Sequence, residues 1–279
     1  MNKLYGEVVL IAGASSGMGK AIAEALSQEG YKVYGTSRKV QSSSIDEIAA
    51  AQDSKGFVNM IQLDVCSDES VEQAVNHVVE KEGKIDILIN CAGFALAGSV
   101  EDTTHEEAFM EFNTNFFGAH RTCRTVAPIM RQKGKGLIIN ISSTAGLIAV
   151  PYQAFYSASK YALEAMTEGM RMELEPYGVK VSLVEPGDTK TGFTNNRVFA
   201  KKSKDSVYKA VFEKSVARMV KDEQSGPPPV GVVNAVKKII SSANPPVRVV
   251  VGPINKVLAF LKRVLPSRVV VYIVSKLYA

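Results

Sequence analysis

A chain of 279 residues with 46% hydrophobic and 22% charged content is ordinary for a globular protein and fits one large α/β domain better than two small ones. The net charge of +5 is modest and its cations are scattered except near the C-terminus, which excludes a nucleic-acid-binding stripe. Three cysteines (Cys66, Cys91, Cys123) and three histidines (His77, His105, His120) lack metal-site or disulfide spacing, so no metal is expected and a reducing cytosol fits.

The first six residues lead almost directly into a strand-like run, with no long apolar leader, and no run of roughly eighteen apolar residues occurs. The expectation is a soluble, cytoplasmic protein without a transmembrane segment. A buried strand is predicted over 7–12, then the turn Gly13-Ala14-Ser15-Ser16-Gly17-Met18-Gly19 and a helix over 20–29 stopped by Gly30. Strand, glycine-rich turn and helix together make the phosphate-binding geometry of dinucleotide folds. Glycines let the backbone approach a pyrophosphate, and the helix start offers unpaired N–H groups. Such turns also serve packing alone, and the spacing here is G-x-x-x-G-x-G.

The second strand, 32–37, ends Ser37-Arg38-Lys39 with no acid for a ribose hydroxyl. A guanidinium there suits a 2′-phosphate better than a merely solvated basic turn does. A helix is predicted over 43–51 with serines as N-cap, and a third strand within 56–63, ending Asp64-Val65. Ser67 caps a helix over 68–82 that carries Val71, Val75, Val78 and Val79 on one face. The fourth strand, 85–89, ends Asn90-Cys91-Ala92-Gly93. Strands alternating with helices imply βαβ crossovers and a parallel sheet.

A long helix is expected over 103–130, with Asn113 and Asn115 as poor interior residues; Asn115 could bend it or hold a water. The fifth strand, 137–141, places Ser143 at its carboxyl end, where open α/β sheets set their ligands. A helix over 155–177 carries Tyr156 and Lys160 one turn apart. A phenol's pKa of roughly 10 is too high for proton exchange at neutral pH, and a nearby ammonium should lower it. Hydroxyl, phenol and ammonium would then form a carbonyl-protonating site, although Tyr-x-x-x-Lys alone carries little weight. The sixth strand, 179–184, ends Glu185-Pro186-Gly187. The polar stretch 188–205 reads as a lid loop, helices follow over 206–220 and 230–240, and a last strand lies at 247–251.

Taken together these residues resemble the short-chain dehydrogenase/reductase family over about 8–252. The resemblance rests on Gly13, Gly17 and Gly19, then Asp64, then Asn90-x-Ala92-Gly93, Asn115, Ser143, Tyr156-x-x-x-Lys160 and Pro186-Gly187, in that order. It implies a single Rossmann-type α/β domain over 1–254, with a parallel seven-stranded sheet flanked by helices, and a C-terminal helical extension over 255–279. It also implies reversible hydride transfer between a nicotinamide and a carbonyl/alcohol pair. Tyr156 would be the general acid or base, Ser143 would hold the substrate oxygen, and Lys160 would bind the nicotinamide ribose and depress the Tyr156 pKa. Asn115 would position a relay water. The cofactor contacts would come from Gly13, Ser15, Ser16, Gly17, Met18, Gly19, Ser37, Arg38, Asp64, Val65, Asn90, Ala92, Gly93, Pro186, Gly187 and Thr189, with Tyr156 and Lys160. NADP(H) is expected over NAD(H). Ala12 stands where the family usually has Thr, and Cys91 where it usually has Asn.

Hydroxysteroid- and retinol-type dehydrogenases suggest a lipophilic substrate. The alternatives are a 3-oxoacyl-thioester reductase and a non-catalytic NADPH-binding regulator. A homodimer or homotetramer is expected through the helices at 103–130 and 155–177. The apolar, basic tail could pack as extra helices, cover an apolar pocket, or touch a membrane peripherally.

Overall fold

Val8-Val9-Leu10-Ile11-Ala12 is apolar without alternation, the pattern of a strand covered on both faces. In the computed structural model, which describes residues 3–40, 48–49 and 56–278, it forms β1 (Val8–Ala12), buried throughout. In chain order there follow α1 (Gly17–Gln28), β2 (Lys32–Ser37), β3 (Ile48–Ala49), β4 (Phe57–Gln62), α2 (Asp68–Glu82), β5 (Ile87–Asn90) and β6 (Leu96–Ala97). Next come α3 (His105–Phe112), a π-helical turn (Asn113–Phe117), α4 (Gly118–Lys133), β7 (Gly136–Ile141) and α5 (Ala154–Leu174). The chain ends with β8 (Val179–Glu185), β9 (Val198–Phe199), α6 (Lys209–Ser225), α7 (Val230–Ile240), β10 (Arg248–Val250), α8 (Pro253–Val264) and α9 (Ser267–Tyr278).

The sheet order is β10-β8-β7-β5-β1-β2-β4-β3; seven strands run parallel and the two-residue β3 pairs antiparallel to β4. Side chains alternate across it. Val9 and Ile11 of β1 face the layer containing Ile22 and Leu26 of α1 and Val236 of α7; Val8 and Leu10 face Val75 of α2 and Val126 of α4. From β1 the chain steps outward to β2, while β5 lies on its other side. The order reverses there, and the crevice for a ligand lies at the carboxyl ends of β1 and β5.

Several expectations change. Of the helix predicted over 43–51, Ile48–Ala49 form a strand and the other positions lie outside the described residues. The helix predicted over 103–130 is broken by the π turn and continues to Lys133. The one predicted over 155–177 ends at Leu174, because Pro176 turns the chain into a 3₁₀ turn. The lid stretch 188–205 contains β9, which pairs with β6 in a separate two-stranded sheet; a two-residue strand has no periodicity to read. The tail predicted from 255 begins two residues earlier, at Pro253, and Pro266 divides it into α8 and α9.

Candidate active site

The turn after β1 is built by exclusion of side chains. A β-carbon on Gly19 would collide with the carbonyl of Gly13, and one on Gly13 would sit 2.8 Å from the Ala92 backbone. Gly13 and Gly17 have φ of +86° and +56°, conformations that favour glycine. Ser15 and Ser16 are exposed, Met18 lines the cavity described below, and Ser16 caps α1 without a side-chain bond. The first turn of α1 carries no acidic residue and its N-cap makes no side-chain bond, so the positive end of the helix is left uncompensated there. This cradle fits a dinucleotide pyrophosphate. Thr36 of β2 ties the turn down: its Oγ1 accepts from the Gly13 amide at 3.2 Å, and its carbonyl accepts from Ala14 N at 2.9 Å.

Arg38 is exposed just beyond the end of β2, while the Ser37 hydroxyl accepts from Lys39 N at 3.3 Å. Asp64 Oδ1 accepts from Cys66 N at 2.9 Å, and Val65 is buried. Cys91 leaves the β5 turn intact, since its amide donates to the Ala12 carbonyl at 2.9 Å. Asn90 does not offer its side chain to the crevice. Its amide group donates to Asn140 Oδ1 at 2.8 Å and accepts from Thr122 Oγ1 at 2.6 Å inside the sheet–helix layer. Gly93 is forced by what stands opposite: a β-carbon there would lie 3.0 Å from Asn115 Oδ1 and 3.8 Å from Lys160 Nζ.

Asn115, inside the π turn, clamps Phe94. Its Oδ1 accepts from Phe94 N at 3.0 Å, and its Nδ2 donates to Phe94 O at 2.9 Å and to Ser159 Oγ at 3.2 Å. Both amide hydrogens are thereby engaged within the protein. A π turn inside a helix commonly marks a functional position. One turn earlier, Glu111 is fully buried and its Oε1 accepts from Leu96 N at 2.8 Å. Burial pushes this carboxyl up to about 8, with the Leu96 bond and the Lys160 charge pulling against it.

Tyr156 and Lys160 stand on one face of α5, with Nζ 5.8 Å from the phenol ring centroid. Lys160 donates to the Ile141 carbonyl at 3.0 Å, which anchors it to the end of β7. Ser143 follows that strand, and its Oγ accepts from Ala145 N at 3.1 Å. The expected lowering of the Tyr156 pKa is overturned. Burial raises it well above the ordinary 10, while the Ser143 hydroxyl works in the opposite direction. Burial also lowers the Lys160 pKa, countered by Cys91, Glu164 and Glu111. Desolvation is the largest influence on each of the two groups.

Beyond the phenol lies a cavity. Ser143, Tyr156, Pro186, Gly187 and Thr189 form its inner end, and Phe193 closes over the phenol with ring centroids 5.9 Å apart. The outer wall is the tail: Leu258, Leu261 and Leu265 of α8 and its exit, then Val270, Ile273, Val274 and Leu277 of α9. Asp188 also lines the cavity, and desolvation together with Asp222 and Glu223 raises its carboxyl to about 6. Sequence reasoning passed over Phe193, Asp188, Glu111 and Asn255. The 270, 273, 274, 277 spacing of α9 is the one available signal, and it shows an apolar face without saying against what it lies. Among the described residues no group of His, Cys, Asp or Glu could hold a metal, and no helix is long and apolar enough to cross a membrane.

The family described as short chain dehydrogenase matches residues 7–202. The chain is 42% identical over 275 residues to a 3-ketodihydrosphingosine reductase of Bacteroides thetaiotaomicron, covering 98% of each protein. It is 34% identical to retinol dehydrogenase 8 of Bos taurus, covering 86% of this chain and 80% of that one. The fold superposes on a short-chain dehydrogenase of Streptomyces avermitilis with a TM-score of 0.77 and 31% identity, covering 92% of this chain and 96% of that one.

Proposed function

The chain belongs to the short-chain dehydrogenase family, and from that premise we propose that it is an NADPH-dependent reductase of a long-chain ketone bearing an amino group. The observation that carries this reading is the cavity running from Tyr156 and Ser143 out along the apolar wall of α8 and α9. 3-Ketodihydrosphingosine, the compound in the name of the 42% identical relative, is a long-chain amino ketone of this kind. Its chain matches the leucine and valine wall, and Asp188 provides a carboxylate for its ammonium.

The glycine turn and the α1 amides would hold the pyrophosphate, Arg38 and Ser37 the 2′-phosphate, and Lys160 with the Asn90–Gly93 turn the nicotinamide riboside. When bound, the dinucleotide supplies the hydride. Tyr156, kept protonated by burial, gives its proton to the carbonyl oxygen as charge develops there. The Ser143 hydroxyl donates to the same oxygen and fixes it beside the phenol. The Lys160 ammonium stabilises the phenolate that remains, and Asn115 keeps the Phe94 segment in place beneath it.

The exposed side chains Phe109 on α3 and Phe117 at the end of the π turn, with Tyr161 and Met172 on α5, support a homo-oligomer formed through these helices. Three free cysteines support a cytoplasmic location. The direct test is NADPH consumption by the purified protein with 3-ketodihydrosphingosine and with a short-chain ketone. Turnover of the former at least about a hundredfold better in kcat/KM is expected, and equal turnover would sink the substrate assignment.

A further inference from the structure

The outward surface of α8 and α9 takes no part in the chemistry above, yet it is rich in exposed apolar side chains. Of the 24 large hydrophobic side chains exposed among the described residues, ten lie on these two helices. Ile254, Val257, Phe260 and Val264 recur at spacings of three or four, so they form one stripe along α8, exposed by 74, 57, 63 and 56%. Leu258, Leu261 and Leu265, which line the cavity, form the adjoining stripe. Lys256 and Arg263 lie along the other margin. The whole segment 253–279 carries five Lys and Arg and no Asp or Glu.

A second observation ties this surface to the site. Leu258, Ile273 and Leu277 line the cavity and are still exposed by 38, 41 and 50%. The mouth of the cavity therefore lies among them, and on α8 the exposed apolar stripe adjoins the leucine wall, with Lys262 also lining the cavity.

We propose that the α8–α9 surface docks on an anionic lipid bilayer with the cavity mouth against it, so that an apolar substrate enters from the lipid without crossing water. Charge selects this occupant. A symmetric contact with a second copy would bring two acid-free cationic surfaces together, whereas anionic lipid complements them. Apolar side chains rimmed by cations suit the headgroup boundary, and helices of 12 residues lie in it rather than span it. Substrate delivery rests on the long-chain reading above; the docking itself does not.

The chain has no tryptophan, so Phe260→Trp makes a single indole reporter on the stripe. With vesicles of mixed phosphatidylglycerol and phosphatidylcholine its emission should shift to the blue and be quenched by brominated acyl chains; an unchanged spectrum overturns the proposal. In vesicle sedimentation, the pair Val257→Asp with Phe260→Asp, and separately Lys256→Glu with Arg263→Glu, should each weaken partitioning by at least about tenfold. The unaltered protein should release at ~0.5 M salt. All variants should keep the parent melting temperature and NADPH affinity. Binding that survives both pairs overturns the proposal. So does a dimer that Phe260→Asp converts to monomer in a protein that ignores vesicles. Docking is read without substrate, so its failure and the failure of the ketone assay are separate results.

Discussion

Asn255, in the first turn of α8, lies over Gly187 so closely that a β-carbon on that glycine would overlap its side-chain amide. Asn255 is held there by donating to the Val251 carbonyl at 2.7 Å. The loop it touches is in turn tied to the segment after β7, since Thr144 N donates to Pro186 O at 2.8 Å. The tail, the Pro186–Gly187 loop and the segment that carries Ser143 are thus joined by consecutive contacts. Gly187→Ala should push α8 away from the cavity. The expected cost is about 1–3 kcal/mol of stability, typical of overpacking, together with a raised KM for a long-chain ketone. Thermal melting and steady-state kinetics check both, and an unchanged KM would show that the contact does not shape the cavity.

Removing residues 253–279 strips the leucine and valine wall from the cavity. Each buried methylene of substrate loses about 0.8 kcal/mol of favourable transfer. A long-chain ketone should therefore lose at least about a hundredfold in kcat/KM while a small ketone keeps most of its rate. Equal losses for the two substrates would mean that the tail supports folding and not recognition.

Tyr156→Phe removes the hydroxyl proposed as proton donor while keeping the ring that packs on Phe193. The expected loss is about 10²–10⁴ in kcat, with NADPH affinity unchanged by fluorescence titration. A variant within tenfold of the parent would assign proton transfer to another group.

Arg38, exposed at the end of β2, is the side chain expected to hold a 2′-phosphate. One charge-assisted contact is worth roughly 1.5–3 kcal/mol, about ten- to a hundredfold in affinity. Arg38→Asp should move preference from NADPH to NADH by at least that factor. Equal kinetics with both cofactors in the parent protein would refute the assignment.

Desolvation and the neighbouring Asp222 and Glu223 push the Asp188 carboxyl up to about 6, above the ordinary carboxylate range, against Arg197 and Arg218. An ammonium is held only by the ionised form, so affinity for an amino ketone should rise as pH increases from about 5 to about 7 and level off above. Asp188→Asn should flatten that profile and raise KM for the amino ketone by about tenfold, leaving the deaminated ketone unaffected. The same pH dependence for both ketones would remove Asp188 from recognition.

Glycine positions, strand runs and the Tyr156–Lys160 spacing were legible in the sequence because they depend on near neighbours: backbone freedom, alternation and the helical turn. The alternating strand and helix order, the turn at Gly13–Gly19 and the placement of Ser143 after β7 all follow from such local rules. What those rules miss depends on residues far apart in the chain. Burial is the largest influence on the Tyr156 pKa, and it involves residues distant in the chain, Phe193 against the phenol among them. Asn90 turns inward because Asn140 and Thr122 wait for it across the layer, and Asn115 clamps Phe94 because the π turn aims it there. An apolar, basic tail reads the same whether it packs, covers a pocket or meets lipid. Only the tertiary structure set one face of it over Tyr156 and left the other outside, because close approach and desolvation are properties of the assembled chain and not of any segment within it.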